Sequence, residues 1–434
     1  MNDSWTSKKA FVLASIGAAV GIGNIWRFPY IASEHGGIWF LIPYFVCLLV
    51  VGIPLFLVET GQGFNSKKGF FKSVEDSKDV PFIDGRMRKA LGLFPVFVST
   101  VILGYYTALC SWTLWFAIEF MLGNEPSFAI MQQSYTPVIT FVIVFAAAFL
   151  VVMKGIHKGI EPATHYLVPM LFIFMILLLA YSLSLPNATS HLGSALTGSS
   201  EKIFDTRTWY YALSQVLFSL SVGYGIMFTY GMHLKNGRGI FRSAFQVAGA
   251  DTAASLLAFF SIIVISSVIG TQASGMMLSF EAFPAFFASQ GLAGAVVGAA
   301  FFALLFSAAF TSVISMIENT RDSTAFLDSG WRFSISVGVF LIGMFSVLSY
   351  CPMNLMLFGK PVLYTLDFMF GTFLAPFSAI VVAFCCAYLL PHEHIAREMG
   401  VPKKYWPAFT FIIRKVLPLA FLSLILFSQL SGLY

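Results

Sequence analysis

Twice along this chain a long apolar run is interrupted near its middle by small and polar residues: Gly17-Ala-Ala-Val-Gly-Ile-Gly-Asn24 and Ser219-Leu-Ser-Val-Gly-Tyr-Gly225. Glycine weakens a helix, and backbone N–H and C=O groups left unpaired in hydrocarbon are costly. Such a stretch survives only where it lines a cavity inside the protein and another group satisfies its backbone. A bound ion together with a bound solute would do so.

The runs that carry these breaks read as membrane spans. Of the 434 residues, 58% are hydrophobic and only 10% charged, with a mean hydropathy of +0.82, against about 25% charged in an ordinary soluble domain. Runs of about 20 apolar residues predict helices near residues 10 to 32, 38 to 64, 92 to 122, 135 to 153, 164 to 185, 208 to 233, 242 to 270, 291 to 318, 331 to 350, 361 to 390 and 406 to 431. The expected fold is therefore an all-α polytopic membrane protein of eleven transmembrane helices. With the N-terminus inside, 21 of the 25 Lys and Arg residues fall in cytoplasmic segments, leaving Arg27, Lys202, Arg207 and Lys360 on the other side. The positive-inside rule thus accounts for the net charge of +5 without a nucleic-acid partner. It also predicts a multi-pass protein of the inner (plasma) membrane, with a cytoplasmic N-terminus and an extracytoplasmic C-terminus.

The first apolar run carries Asn24 and Arg27 and lacks a cleavage site, so it reads as a retained helix and not a signal peptide. The five cysteines have no ligand spacing, and neither disulfides nor a metal cluster is expected from them.

Helices one to five hold the first break in their first member, and helices six to ten hold the second break in theirs. Five is odd, so the second set begins on the opposite face of the membrane. This is the pattern of a 5+5 inverted repeat whose discontinuous helices 1 and 6 meet at a midplane site. The repeats would span residues 1-185 and 208-390, with 406-431 as one extra C-terminal helix, all in one integrated membrane domain.

At the first break, carbonyls of Gly17, Ala19 and Val20 and the Asn24 side chain offer oxygen to a hard cation such as Na+. The N–H groups of Ile22 and Gly23 open the outer half-helix, whose positive dipole end suits a carboxylate. A Gly17-x-x-x-Gly21 packing face is the competing reading. Asp251 lies within the seventh span, where a carboxylate defaults to function; a structural hydrogen bond is the alternative. Thr311 and Ser312 in the eighth span carry hydroxyls that either bond to the preceding turn or serve as ligands.

With these residues assembled, the chain resembles the neurotransmitter:sodium symporter family, in particular its bacterial amino-acid transporters of the leucine-transporter-type fold. The likeness runs from Trp5 to about the end of the tenth span. It rests on Gly21-Ile-Gly-Asn-Ile-Trp-Arg-Phe-Pro29, Ile42-Pro-Tyr44, Gly52-Ile-Pro54, Tyr105-Tyr106, Gly155-Ile-His-Lys-Gly-Ile-Glu161 and the stretch from Gln215 to Gly225.

The resemblance implies two Na+ sites. One would use the Ala19 carbonyl, Asn24, Ser219, Asp251 and the substrate carboxylate; the other would use carbonyls of Gly17, Val20 and Ala308 with the hydroxyls of Thr311 and Ser312. It places the substrate carboxylate at the Ile22 and Gly23 amides and the Tyr106 hydroxyl, and the ammonium at Ala19, Phe218, Ser219 and Ser221. Ile102, Phe218, Tyr224, Ser315 and Met316 would enclose the side chain. Family members that carry monoamines have an aspartate where this chain has Gly21, so a substrate with its own carboxylate, an α-amino acid, is expected. Arg27 and Asp367 would close the outer gate.

Departures from the family pattern are equally specific. Tyr44, Gln215, Ser219 and Ser255 match the chloride-binding set of animal relatives, but Asp251 stands where those have Asn. A fixed negative charge there competes with an anion, so chloride independence is expected, with proton countertransport through Asp251 as an additional possibility. Asn2 stands where an arginine often latches the inner gate, leaving Trp5, with Asp328 as a further contributor. The resulting expectation is a sodium-coupled symporter, not an enzyme, that imports an amino acid with an apolar or aromatic side chain. The alternative on the same fold is an amino-acid sensor that binds with Na+ and does not transport.

Overall fold

The computed structural model describes residues 3–77, 83–270, 278–390, 395–420 and 423. The chain is built of helices, and the only strands among the described residues, Met356–Leu357 and Lys360–Pro361, form one short antiparallel pair.

Helix α1 (Lys8–Ala19) begins where the Ser7 hydroxyl accepts from the Ala10 N–H at 3.1 Å, filling one of the donors a first turn cannot pair internally. It stops at Val20, whose backbone is extended, and α2 (Ile22–Glu34) leaves at 62° to α1. Then follow α3 (Gly37–Ser66), α4 (Gly85–Met121), α5 (Thr136–Met153) and α6 (Ile156–Leu183). Asp84 caps α4 by accepting from the Met87 N–H at 2.7 Å. The second interrupted span consists of α7 (Thr206–Ser219) and α8 (Ile226–Met232). Between them Ser221, Gly223 and Gly225 take φ of 51, 89 and 81 degrees, a region that costs little for glycine and more for serine. The remaining helices are α9 (Ile240–Ile269), α10 (Gly291–Ser323), α11 (Ser329–Leu348), α12 (Val362–Leu389) and α13 (Trp406–Phe411), which continues through Ile412–Val416.

Eight of these helices, α3 to α6 and α9 to α12, are long and apolar enough to cross a membrane, and the bent pair α1 and α2 qualifies together as a ninth span. The expected spans at 208 to 233, which is divided between α7 and α8, and at 406 to 431, which begins at α13, are not among these nine; the other nine expected spans coincide with them. The end of the last one, from 424 onward, lies outside the described residues, as does Asn2.

Burial sorts the helices into two shells. In the most apolar stretch of α4 78% of residues are buried, against 22% in α11, so α4 is core and α11 presents apolar side chains outward. Helix α10 packs along α4, α8 packs along α3, and α1 lies among α6, α9 and α10. Both breaks therefore sit at the centre, shielded by the outer helices. The polar connection after α6 forms a helix, Ala188–Thr197, and a turn, Ser200–Phe204. Gly198 lies so close to the Gly36 carbonyl that a Cβ would collide with it, which seats the connection against the start of α3. All five cysteines are free and buried.

Candidate functional site

The two breaks are tied to each other directly. The Ser221 hydroxyl, held outward by its left-handed backbone, donates to the Ala18 carbonyl at 2.6 Å. Beside this contact Asn24 joins three helices. Its side-chain oxygen accepts from the Gly21 N–H at 3.0 Å, capping α2. Its amide nitrogen donates to Ser219 Oγ at 2.9 Å, Asp251 Oδ1 at 2.7 Å and Ser255 Oγ at 2.9 Å. Ser219, at the end of α7, donates to both Asp251 oxygens at 2.8 Å. Asp251 is fully buried in α9, and Asn24, Ser219 and Ser255 are buried with it. A carboxylate at that depth is retained only with strong compensation. Here one amide and one hydroxyl supply part of it, and the cluster presents several oxygens suited to a hard cation. The Tyr44 hydroxyl faces the same carboxylate and lies 3.4 Å from Thr252 Oγ1.

A second group of oxygens forms where α1 meets α10. A Cβ on Gly17 would lie 3.2 Å from Thr311 Cβ and 3.1 Å from Val168 Cγ2, so the missing side chain is what lets the helices approach. Thr311 and Ser312 donate to the Ala308 carbonyl at 3.1 and 3.2 Å, and Ser312 reaches the Ala18 carbonyl at 3.5 Å. Gly21 has different neighbours: a Cβ there would lie 3.1 Å from the Tyr106 hydroxyl and 3.3 Å from Ser312 Oγ. The two glycines thus do not form one packing stripe; Gly17 packs helices and Gly21 borders the site. Val20 continues the last turn of α1 through its N–H to Ile16 O, 2.7 Å, while Ala19 ends the helix.

Toward the other end of the break, the Ile22 N–H lies 3.4 Å from Tyr106 Oη. The Phe218 ring covers Gly23 so closely that a Cβ on Gly23 would clash with it. Ile102, Tyr106 and Ser315 are buried, and Tyr224 and Met316 half-buried. The Ser315 hydroxyl is turned to its own helix, donating to the Ser312 carbonyl at 2.8 Å.

The gates differ from expectation. Arg27 donates to Gln215 Oε1 at 2.7 Å and Ser214 Oγ at 2.9 Å, with its guanidinium 5.4 Å from the Phe218 ring. Among the described residues it makes no ion pair with Asp367, whose carboxylate takes the Tyr105 hydroxyl instead. Gln215 is thereby drawn away from the anion-site set toward the gate arginine. At the opposite end Trp5 is buried, donating from its indole to the Tyr230 carbonyl at 2.9 Å and from its backbone to the His233 carbonyl at 3.2 Å. Asp328 is exposed and caps α11 through the Trp331 N–H at 3.0 Å, so it belongs to a helix end and not to the gate.

Two site residues escape a reading by spacing. Glu59, fully buried in α3, accepts from the Gly223 N–H in the second break, and its other oxygen has no protein partner. Asn319 in α10 donates to the Tyr224 carbonyl at 3.0 Å and to Ser99 Oγ at 3.1 Å, and accepts from Thr229 at 2.8 Å. Ser378 adds a bond to the Gly223 carbonyl at 2.8 Å. Glu59 carried the same signal as Asp251, an ionisable residue inside an apolar run. Asn319 stood among ordinary polar residues at a helix end and carried none.

Residues 2–136 and 128–430 match the model of the sodium:neurotransmitter symporter family. The chain is 29% identical to an uncharacterized sodium-dependent transporter of Methanocaldococcus jannaschii, over 93% of this chain and 87% of that one. It is 27% identical to the uncharacterized sodium-dependent transporter YhdH of Bacillus subtilis, over 99% of this chain and 98% of the other. Among solved structures it superposes on MhsT in complex with L-phenylalanine with a TM-score of 0.85 and 27% identity, covering 98% of this chain and 99% of that one. The chain therefore belongs to the sodium:neurotransmitter symporter family, whose members are multi-pass, sodium-dependent membrane transporters.

Proposed function

We propose that this protein is a sodium-coupled symporter that carries an α-amino acid with an apolar or aromatic side chain, by alternating access and without chloride. The observation that carries the reading is the buried cluster of Asn24, Ser219, Asp251 and Ser255, where both breaks and α9 converge on one carboxylate. One Na+ would lie there with the Ala19 carbonyl, and a second between Gly17, Val20, Ala308, Thr311 and Ser312. The substrate carboxylate would meet Ile22, Gly23, Tyr106 and the first Na+, which makes sodium a condition of tight binding. The co-crystallised L-phenylalanine of MhsT supports an amino-acid substrate. Phe218, Ile102 and Met316, all apolar, favour a side chain of like character. Chloride independence rests on Asp251, since the hydroxyls that would hold an anion face a fixed negative group.

In the cycle, Arg27 and Asp367 close over the bound solute, and the broken helices α1, α2, α7 and α8 then rock against the rest of a 5+5 bundle in a plasma membrane. The test is uptake of the twenty amino acids by proteoliposomes in Na+ or K+. Sodium-driven accumulation of apolar or aromatic amino acids is expected, and uptake indifferent to sodium would overturn the proposal. Sodium-dependent binding with no accumulation would indicate a sensor instead.

A further inference from the structure

The end of the molecule opposite Arg27 is closed by a device the transport reading does not use. His233 follows the last residue of α8. Its Nδ1 lies 2.7 Å from the Asp3 backbone carbonyl, and its Nε2 lies 2.6 Å from Asp322 Oδ2 and 3.6 Å from Glu318 Oε1. Both ring nitrogens therefore face acceptors at hydrogen-bond distance. A neutral imidazole donates from one nitrogen only, and the other would meet an acceptor lone pair to lone pair; only the imidazolium satisfies both. The 2.6 Å separation is that of a hydrogen bond, shorter than the more than 3 Å between tetrahedral ligands at about 2.0–2.1 Å from a metal.

The surrounding charges ask for the same proton. From α10, Glu318 is fully buried and Asp322 largely so. Arg321, also on α10, donates to Glu318 Oε1 at 2.7 Å, lies 3.7 Å from Asp322 Oδ1, and binds the Val152 carbonyl at 2.8 Å. One guanidinium thus answers two carboxylates, and Glu318 Oε2 has no protein partner. An imidazolium at His233 supplies a positive charge directly against Asp322. Of the other neighbours, Lys67 on α3 donates to the Met232 carbonyl at 3.1 Å and to the Leu234 carbonyl, the Asp3 carboxylate accepts from the Ile156 and His157 N–H groups, and the buried Tyr230 hydroxyl faces Glu318 without a hydrogen-bond partner.

We propose that His233 is the positioning residue of the inner gate: its imidazolium ties the N-terminal segment, through the Asp3 carbonyl, to Asp322 on α10, and loss of its proton frees the segment so that this side opens. The proposal rests on the alternating-access reading for its meaning, but its test does not need a substrate. The closed state offers the imidazolium two acceptors, and the open state, with Asp3 withdrawn, offers at most one. Acid therefore favours the closed gate. One coupled proton changes the open-to-closed ratio by up to about tenfold per pH unit while the ring titrates.

Hydrogen exchange of the segment preceding α1, followed by mass spectrometry on the purified full chain and corrected for the intrinsic pH dependence of exchange, reads this ratio. Protection in the wild type is expected to fall as pH rises past the ordinary range of histidine, since, although burial disfavours the charged ring, its bonds to Asp322 and the Asp3 carbonyl hold the proton above the usual pKa. The variant His233→Gln should be deprotected and flat with pH, while His233→Arg, charged at every accessible pH, should be flat and protected. Asp322→Asn should shift the wild-type transition to lower pH. A pH-independent wild type, or an unaltered transition in His233→Gln, overturns the latch. Absence of sodium-driven uptake with the pH transition intact would overturn the transport reading alone.

Discussion

At the scale of single residues, the Asp251 carboxylate accepts from the Asn24 amide and the Ser219 hydroxyl, which puts a negative charge where the proposed chloride-independent cycle needs one. Replacing it with asparagine preserves shape and removes the charge. Hydrogen bonds to charged groups contribute roughly 1.5–3 kcal/mol, so Asp251→Asn should weaken sodium activation by about ten- to a hundredfold. The proposed chloride independence predicts that it also creates a chloride requirement, since Tyr44 and Ser255 then have no fixed anion to face. Uptake in chloride against gluconate, for parent and variant, checks both parts. Glu59 supports a second expectation. Glu59→Gln keeps an oxygen for the Gly223 N–H, whereas Glu59→Ala leaves that N–H buried and unpaired at a cost of about 1–3 kcal/mol. Thermal unfolding of the detergent-solubilised protein should therefore show Ala lowering the midpoint clearly more than Gln.

At the scale of elements, the breaks explain why sequence reading reached the site from some residues and not others. Gly17 to Asn24 and Ser219 to Gly225 were legible because glycine and asparagine inside an apolar run violate the rule that governs their neighbours. The helix breaks in the structure fall within those stretches, at Val20–Gly21 and Leu220–Gly225. Asp251 was legible for the same reason. The direction of a side chain was not: Arg27 carries a charge that suits Asp367, yet its rotamer reaches Gln215 and Ser214 one helix away. Asp328 and Asp322 stand six residues apart, and only the point at which α10 ends tells that one caps a helix and the other faces His233. One tight contact between elements is also testable. The Phe218 ring occupies the space a Gly23 side chain would need, so Gly23→Ala must displace the ring or α2. Substrate affinity should fall at least tenfold, and Phe218→Ala in the same chain should recover part of it, because contacting sites are not additive. Equal losses in the single and double variants would mean that Gly23 acts through its backbone alone.

For the whole molecule, the end opposite Arg27 is bolted by Trp5, His233 and Thr6, the last binding Glu161 through its N–H and hydroxyl at 2.6 and 2.7 Å. The Arg27 end lacks its ion pair, and Phe218 keeps 37% of its surface exposed. In the proposed cycle this asymmetry would let solute enter from the Arg27 side. How many charges cross when it turns over decides how far it can concentrate its substrate. Each elementary charge moved through 100 mV is worth about 2.3 kcal/mol, or about 1.7 decades of accumulation. Two Na+ with a zwitterionic amino acid carry two charges, and a proton returning on Asp251 would cancel one. Proteoliposomes with equal sodium on both sides and a potassium diffusion potential set by valinomycin separate these cases. The two-sodium cycle without proton return predicts a steady-state accumulation rising by about 3.4 decades per 100 mV. A slope near 1.7 would mean that only one net charge moves, as a proton returning on Asp251 requires. A flat response would mean that the cation sites proposed around Asn24 and Thr311 do not move charge across the membrane at all.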